Sequence, residues 1–124
     1  VERLAMAAVM AQECRSGRLP VDVSAQNLGY DIESRDPATD RVHLIEVKGR
    51  VHDADTVSIT RNEMLVALNK RESYSLAVVF IQNGVAAEPI YVRDPVDRMV
   101  SGDPLFGVVS VTLNLGELLA ERAT

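Results

Sequence analysis

A chain of 124 residues and 13.6 kDa is enough for one compact domain and too short for two. At 47% hydrophobic and 25% charged residues it reads as a soluble globular protein, and no apolar run approaches the roughly 20 residues that a membrane-spanning helix needs. A net charge of -5 and a pI near 5.0 argue against indiscriminate binding to phosphate backbones. That charge is unevenly spread: residues 1–71 carry ten Lys/Arg against eleven Asp/Glu, and residues 72–124 three against seven, so any polyanion site belongs to the first part. The single cysteine, Cys14, excludes an internal disulfide and a thiolate zinc cluster, and implies a reducing compartment, cytoplasmic in a bacterium or nuclear in a eukaryote. The chain opens on Val1-Glu2 with no initiator methionine, as a piece of a larger protein would.

Met6, Val9, Met10 and Glu13 recur at spacings of three and four, which predicts a helix over residues 2–17 with Gly17 as its stop. Glu13 then lies on the apolar stripe, where an unpaired charge is costly, so it is either at the stripe's edge, solvated or paired with an arginine, or functional. Residues 18–29 read as irregular, with Pro20, Ser24, Asn27 and Gly29 as loop signals. The alternation over residues 30–35 predicts a strand, the cluster Asp36-Pro37-Ala38-Thr39-Asp40 a turn, residues 41–50 a longer strand and residues 55–60 a third.

Thr60-Arg61-Asn62-Glu63 has the form of a capping box and predicts a helix over residues 61–72. Residues 74–81 are almost continuously apolar, as in a strand buried on both faces. Asn83-Gly84 predicts a type I′ hairpin into a strand near residues 88–93. Residues 94–107 read as a loop, 106–113 as a last strand, and Asn114 as the cap of a helix to about residue 122. The order predicts a mixed α/β sheet: three sequential strands in an antiparallel meander, the strand after the second helix parallel to one of them, and helices packed against the sheet.

A four-residue loop over residues 37–40 puts Asp36 opposite Arg41, and by the same register Asp31 opposite Glu46. Directly opposed side chains have Cβ atoms roughly 4.5 to 5.5 Å apart, and two like charges there are destabilising unless a cation relieves them. Lys48 shares the Glu46 face, while Ile45 and Val47 point to the other. Two acidic ligands with positions left for water and a phosphate oxygen suit a hard cation such as Mg²⁺, and a neighbouring ammonium can orient water and offset charge at phosphorus. A bare Glu-x-Lys is most often just a solvated charged face. Here the opposing Asp31, the apolar flanks and the element order weigh against that.

The segments Gly29-Tyr30-Asp31-Ile32-Glu33-Ser34 and Ile45-Glu46-Val47-Lys48-Gly49 resemble the Asp…Glu-x-Lys signature of the PD-(D/E)XK nuclease superfamily, and the element order resembles its restriction-endonuclease-like αβββαβ core, here with an added C-terminal hairpin, strand and helix. More narrowly, the helix with Glu13, Asp22-Val23-Ser24, the Gly-Tyr-Asp segment, Ile-Glu-Val-Lys-Gly-Arg and Thr60-Arg61-Asn62-Glu63 are similar to the C-terminal domain of plant NO VEIN and its bacterial relatives, attached to helicase-like or restriction-type proteins. The likeness covers about residues 2–93. It implies that Asp31 and Glu46 bind Mg²⁺ or Mn²⁺, with the Val47 carbonyl and the first-helix acid Glu13 as further ligands, and that Lys48 is the catalytic lysine. Asn62 and Glu63 fall where related restriction endonucleases place a polar residue near the site, although the capping box already accounts for Glu63. Tyr30 stands where the superfamily name has proline.

Arg35, Arg50 and Arg61 are the basic residues placed to meet phosphates, with Asn62 beside them; Lys70 and Arg71 read as solvated surface. His43 shares the parity of Ile45 and Val47 and reads as packed, and His52 falls in a turn. No serine has a glycine elbow and no phosphate loop is present. The expected function is a metal-dependent nuclease acting on DNA, delivered by other domains or by homodimerisation. The alternatives are a non-catalytic nuclease-fold module that binds nucleic acid or protein, and an interaction domain built on the apolar hairpin at residues 85–91.

Overall fold

The computed structural model describes residues 1–99 and 110–120. It is a mixed α/β fold in which a curled sheet carries elements on both faces. The chain starts with α1 (Glu2–Arg15), whose Ala5, Val9 and Glu13 recur every four residues and are its buried positions. Next come β1 (Leu19–Asp22), a single 3₁₀ turn at Ser24–Gln26, β2 (Ile32–Arg35) and β3 (Val42–Val51). Then follow β4 (Thr56–Thr60), α2 (Arg61–Asn69), β5 (Tyr74–Gln82), β6 (Val85–Ala86) and β7 (Ile90–Arg93). After α3 (Val96–Met99), β8 (Ser110–Asn114) and α4 (Leu115–Ala120) complete the described residues.

The main sheet has the order β1-β2-β3-β5, with β6 and β7 both on the far side of β5. β2 and β3 are antiparallel in the register expected from the turn, with Ile32 opposite Ile45 and Arg35 opposite Val42. β5 runs parallel to β3, from Leu44 opposite Tyr74 to Val51 opposite Ile81. The expected hairpin forms: Asn83 and Gly84 both have positive φ, 53° and 74°, as a type I′ turn demands.

Period-two alternation along the central strands makes two cores. Ile32, Ile45, Ala77, Val79 and Ile81 face α1 and close over Ala5 and Val9. Leu44, Tyr74, Leu76, Val78 and Val92 face the other way and meet Val57 and Ile59 of β4, Met64 and Ala67 of α2, and Leu115 and Leu118 of α4. Each fully buried Val, Leu or Ile contributes about 1.5 to 3 kcal/mol of hydrophobic stabilisation, so these layers hold the strands in register.

Four expectations are corrected. Residues 18–29 are not wholly irregular: β1 pairs antiparallel with β2, from Leu19 opposite Arg35 to Asp22 opposite Ile32. A four-residue edge strand shows no alternation, and Pro20, which read as a loop signal, is tolerated at an edge because its missing N–H costs no ladder bond there. The expected three-strand meander is broken: β4 leaves the sheet and pairs antiparallel with β8 instead, Thr56 opposite Asn114 and Thr60 opposite Ser110. Residues 94–107 are not all loop, since Val96–Met99 form one helical turn. The helix expected to residue 72 ends at Asn69. The final helix is capped as expected, with Asn114 Oδ1 accepting from the Glu117 amide at 2.9 Å. Residues 100–109 and 121–122, parts of the expected loop, last strand and final helix, lie outside the described residues. Among the described residues no helix is long and apolar enough to cross a membrane.

Candidate metal and phosphodiester site

Asp31 is attached to β3 at two points. Its amide donates to the Ile45 carbonyl at 2.9 Å, and its Oδ2 accepts from the Val47 amide at 2.8 Å. The carboxylate is thereby fixed beside the Glu46 position. Burial pushes the Asp31 carboxyl up, opposed by the Val47 N–H, Glu46 and Lys48, while the Glu63 charge raises it further.

Glu46 lies on the β3 face that carries Leu44 and Lys48, and is 6% exposed. Burial, then the charge of Glu63, push its carboxyl up to about 9, with Asp31 adding to the rise and Lys48 opposing it. Two unit charges about 5 Å apart repel by about 3 kcal/mol at an effective dielectric constant near 20, so three acids and one lysine are best satisfied when one acid keeps its proton. Glu46 is that acid. Lys48 extends from the same face, its Nζ 3.4 Å from Glu46 Oε2 and 2.8 Å from Glu63 Oε1.

Glu63 is the functional candidate to which the sequence lent least weight. The expected capping box forms: Thr60 Oγ1 accepts from the Glu63 amide at 3.1 Å, and Glu63 Oε1 accepts from the Thr60 amide at 2.9 Å. The same Oε1 takes Lys48, so the cap and the ion pair share one oxygen. Burial acts to raise Glu63, but the hydrogen bonds from Lys48 and Thr60 outweigh it and hold the carboxyl below its ordinary range. Beneath the cluster the buried Tyr74 ring donates its hydroxyl to the Gly29 carbonyl at 3.1 Å. Burial and the three carboxylates push that phenol upward, so it stays a neutral donor.

These groups open into a cavity of about 540 Å³, lined on one side by Asp31, Glu46, Lys48 and Glu63. Arg50 lines it as well, its Nε donating to the Thr56 carbonyl at 2.9 Å and so spanning the gap left where β4 departs from β3. Glu2, Arg3, Ser24 and Ser58 also line it, and no spacing in the sequence marked them. The available signal was Gly49: a Cβ there would be 2.9 Å from Ala5 Cβ and 3.0 Å from Val1 Cγ1, so this glycine lets the start of α1 close on the end of β3.

The other expected site residues fall elsewhere. Glu13 is buried on the α1 face, the opposite side of the sheet from Glu46, and does not line the cavity. Arg18 grips it through two bonds, Nε to Oε1 at 2.6 Å and Nη2 to Oε2 at 2.9 Å, and the Tyr91 hydroxyl donates to it at 2.8 Å. Burial acts to raise its carboxyl, but the bonds from Arg18 and Tyr91 and the Arg18 charge outweigh that and lower it. That is the arginine-paired reading of Glu13. His43 is half-buried near Arg18, and burial lowers it. Arg35 is exposed at the turn end of β2 and pairs with Asp40 at 3.1 Å. Arg61 and Asn62 are exposed at the start of α2 and outside the cavity lining.

Among the described residues no three imidazole, thiol or carboxylate side chains are grouped at the spacing that holds a metal ion. What the site offers is the carboxyl groups of Asp31, just before β2, and of Glu46 on β3, the Val47 carbonyl between Glu46 and Lys48, and open space. That donor set fits Mg²⁺, which keeps several waters and is held by one or two carboxylates.

The family model for Protein NO VEIN, C-terminal, matches residues 1–92, a span that includes Asp31, Glu46, Lys48 and Glu63. No curated protein matches the chain.

Proposed function

The chain belongs to the NO VEIN C-terminal family, and on that footing we propose that it is a metal-dependent nuclease module of the PD-(D/E)XK superfamily that hydrolyses DNA phosphodiester bonds. The observation that carries this reading is the gathering of Asp31, Glu46 and Lys48 at the wall of one open polar cavity. Mg²⁺ or Mn²⁺, when bound, supplies Lewis-acid polarisation of a phosphoryl oxygen and an acidified water. Asp31 and Glu46 hold the cation, with the Val47 carbonyl as the adjacent neutral donor. Lys48 orients the attacking water and offsets the negative charge that develops on the phosphoryl oxygens. Arg50, kept in place by Thr56, receives a neighbouring phosphate, and Arg3 offers a second cationic contact across the cavity. Arg35, engaged by Asp40 beyond the turn, is left out of this role.

The net charge of -5 supports weak DNA affinity for this chain alone and delivery by other domains of a helicase or restriction-type protein, or by homodimerisation. Nicking of supercoiled plasmid in Mg²⁺ and in Mn²⁺ tests the reading. The wild type is expected to nick, and Asp31→Asn, Glu46→Gln and Lys48→Met each to lose roughly a hundredfold or more in rate. A wild type that is inert with both ions yet binds DNA would overturn the hydrolytic reading in favour of a non-catalytic binding module.

A further inference from the structure

Lys48 has two acidic neighbours, and it is held by the one that is not opposite Asp31: its Nζ is 2.8 Å from Glu63 Oε1 and 3.4 Å from Glu46 Oε2. A lysine side chain has four rotatable bonds and a compact charge, so position must be imposed on it. Here the imposed position comes from backbone. Glu63 Oε1 is fixed by the Thr60 amide at 2.9 Å, and the Glu63 amide is fixed in return by Thr60 Oγ1. The Glu63 side chain is 13% exposed and that of Lys48 15%, so water competes little for the pair.

An ammonium free to settle on Glu46 would neutralise the carboxylate that a divalent cation needs. With Lys48 drawn to Glu63, the lysine balances Glu63, and Asp31, together with Glu46 once its proton leaves, supplies the negative charge that faces the cavity. We propose that Glu63 is a positioning residue that draws Lys48 to itself and leaves it only the longer, 3.4 Å contact with Glu46, so that the first turn of α2 governs how well the Asp31–Glu46 pair takes a cation. This rests on the metal-binding reading of that pair. It assigns the Thr60–Glu63 box a second task besides capping.

Glutamine also serves at the third position of a capping box, so Glu63→Gln keeps the cap and removes the charge. The chain has only two lysines, Lys48 and the exposed Lys70, so ¹⁵N-lysine NMR reads the Lys48 ammonium directly against an internal control. In metal-free protein the Lys48 ammonium signal is expected to be protected from water exchange in the wild type and in Thr60→Ala, and to lose that protection in Glu63→Gln. Mn²⁺ titration, followed by EPR or calorimetry, is expected to weaken by roughly tenfold to a hundredfold in Glu63→Gln. Adding Lys48→Met to Glu63→Gln is expected to restore most of that loss, because no ammonium is left to occupy Glu46.

If the double variant binds Mn²⁺ as poorly as Glu63→Gln alone, Glu63 is itself a ligand and the positioning role is wrong. Unchanged Lys48 protection in Glu63→Gln would also overturn it, whatever the metal does. A wild type that binds no Mn²⁺ while the NMR behaves as expected would sink the metal-binding reading, and with it the governing of cation affinity, leaving only the Glu63–Lys48 restraint.

Discussion

Two glutamates of this chain are buried to a similar degree and titrate in opposite directions, and their neighbours explain why. Glu13 is gripped by both arms of Arg18 and by the Tyr91 hydroxyl, so its charged form is favoured despite burial. Glu46 meets one lysine and two other acids, so its charged form is opposed by burial and by like charge, and the carboxyl is pushed up to about 9. Binding a cation requires Glu46 as carboxylate, and the proton must leave. Calorimetric Mg²⁺ titrations at pH 7 in buffers of different ionisation enthalpy are therefore expected to show release of up to about one proton per ion, falling away as the pH rises toward 9. Binding heats that do not depend on the buffer at pH 7 would contradict that protonation state. Counting across the turn carried the register as far as Ile32 opposite Ile45, because Asp36 does face Arg41; just before it Asp31 departs from that register, donating its amide to the Ile45 carbonyl and accepting from the Val47 amide. The place of Glu13 was not countable: its helical stripe was right, but which face of the sheet α1 covers is not written in a local period.

At the scale of elements, the site depends on close approaches that only glycine permits. Gly29 has φ +87°, and a Cβ on it would be 2.6 Å from Val66 Cγ2, so the segment leading to Asp31 lies directly against α2. Gly49 allows the same closeness between β3 and the start of α1. Gly49→Ala is expected to destabilise the protein by about 1 to 3 kcal/mol, as overpacking does, and to lower Mn²⁺ affinity because β3 must shift where it carries Glu46 and Lys48. Chemical denaturation with a Mn²⁺ titration of the folded variant measures both, and an unperturbed midpoint would show that α1 can yield. The α2 cap was legible because Thr-x-x-Glu is a local motif whose partners lie within one turn. Departure of β4 to β8 was not, since residues 56–60 and 110–114 are far apart in sequence and alternation says a strand pairs without saying with which strand.

For the whole molecule, the raised Glu46 makes stability depend on pH in an unusual sense. A carboxyl whose folded pKa lies above its unfolded value of 4.5 binds more protons when folded, so its contribution is fully present below pH 4.5 and is lost as the pH rises toward about 9. Glu13 has the opposite sign: held below 4.5, it contributes above that pH, and the contribution is lost as the pH falls through its folded value. Metal-free Tm is thus expected to decline from mildly acidic to alkaline pH more steeply in the wild type than in Glu46→Gln, and millimolar Mg²⁺ to reduce that decline. Parallel Tm curves for the two proteins would exclude Glu46 as the source. Local periodicity and turn chemistry were enough to determine from sequence the first helix, the β2–β3 register, the parallel buried strand and the hairpin. Tertiary structure alone decided that Glu13 turns away to Arg18, that β4 opens the cavity by leaving the sheet, that the start of α1 closes one wall, and that Glu63 reaches Lys48. Those outcomes depend on how separate elements pack across long stretches of chain, and a pattern of neighbouring residues carries no record of that packing.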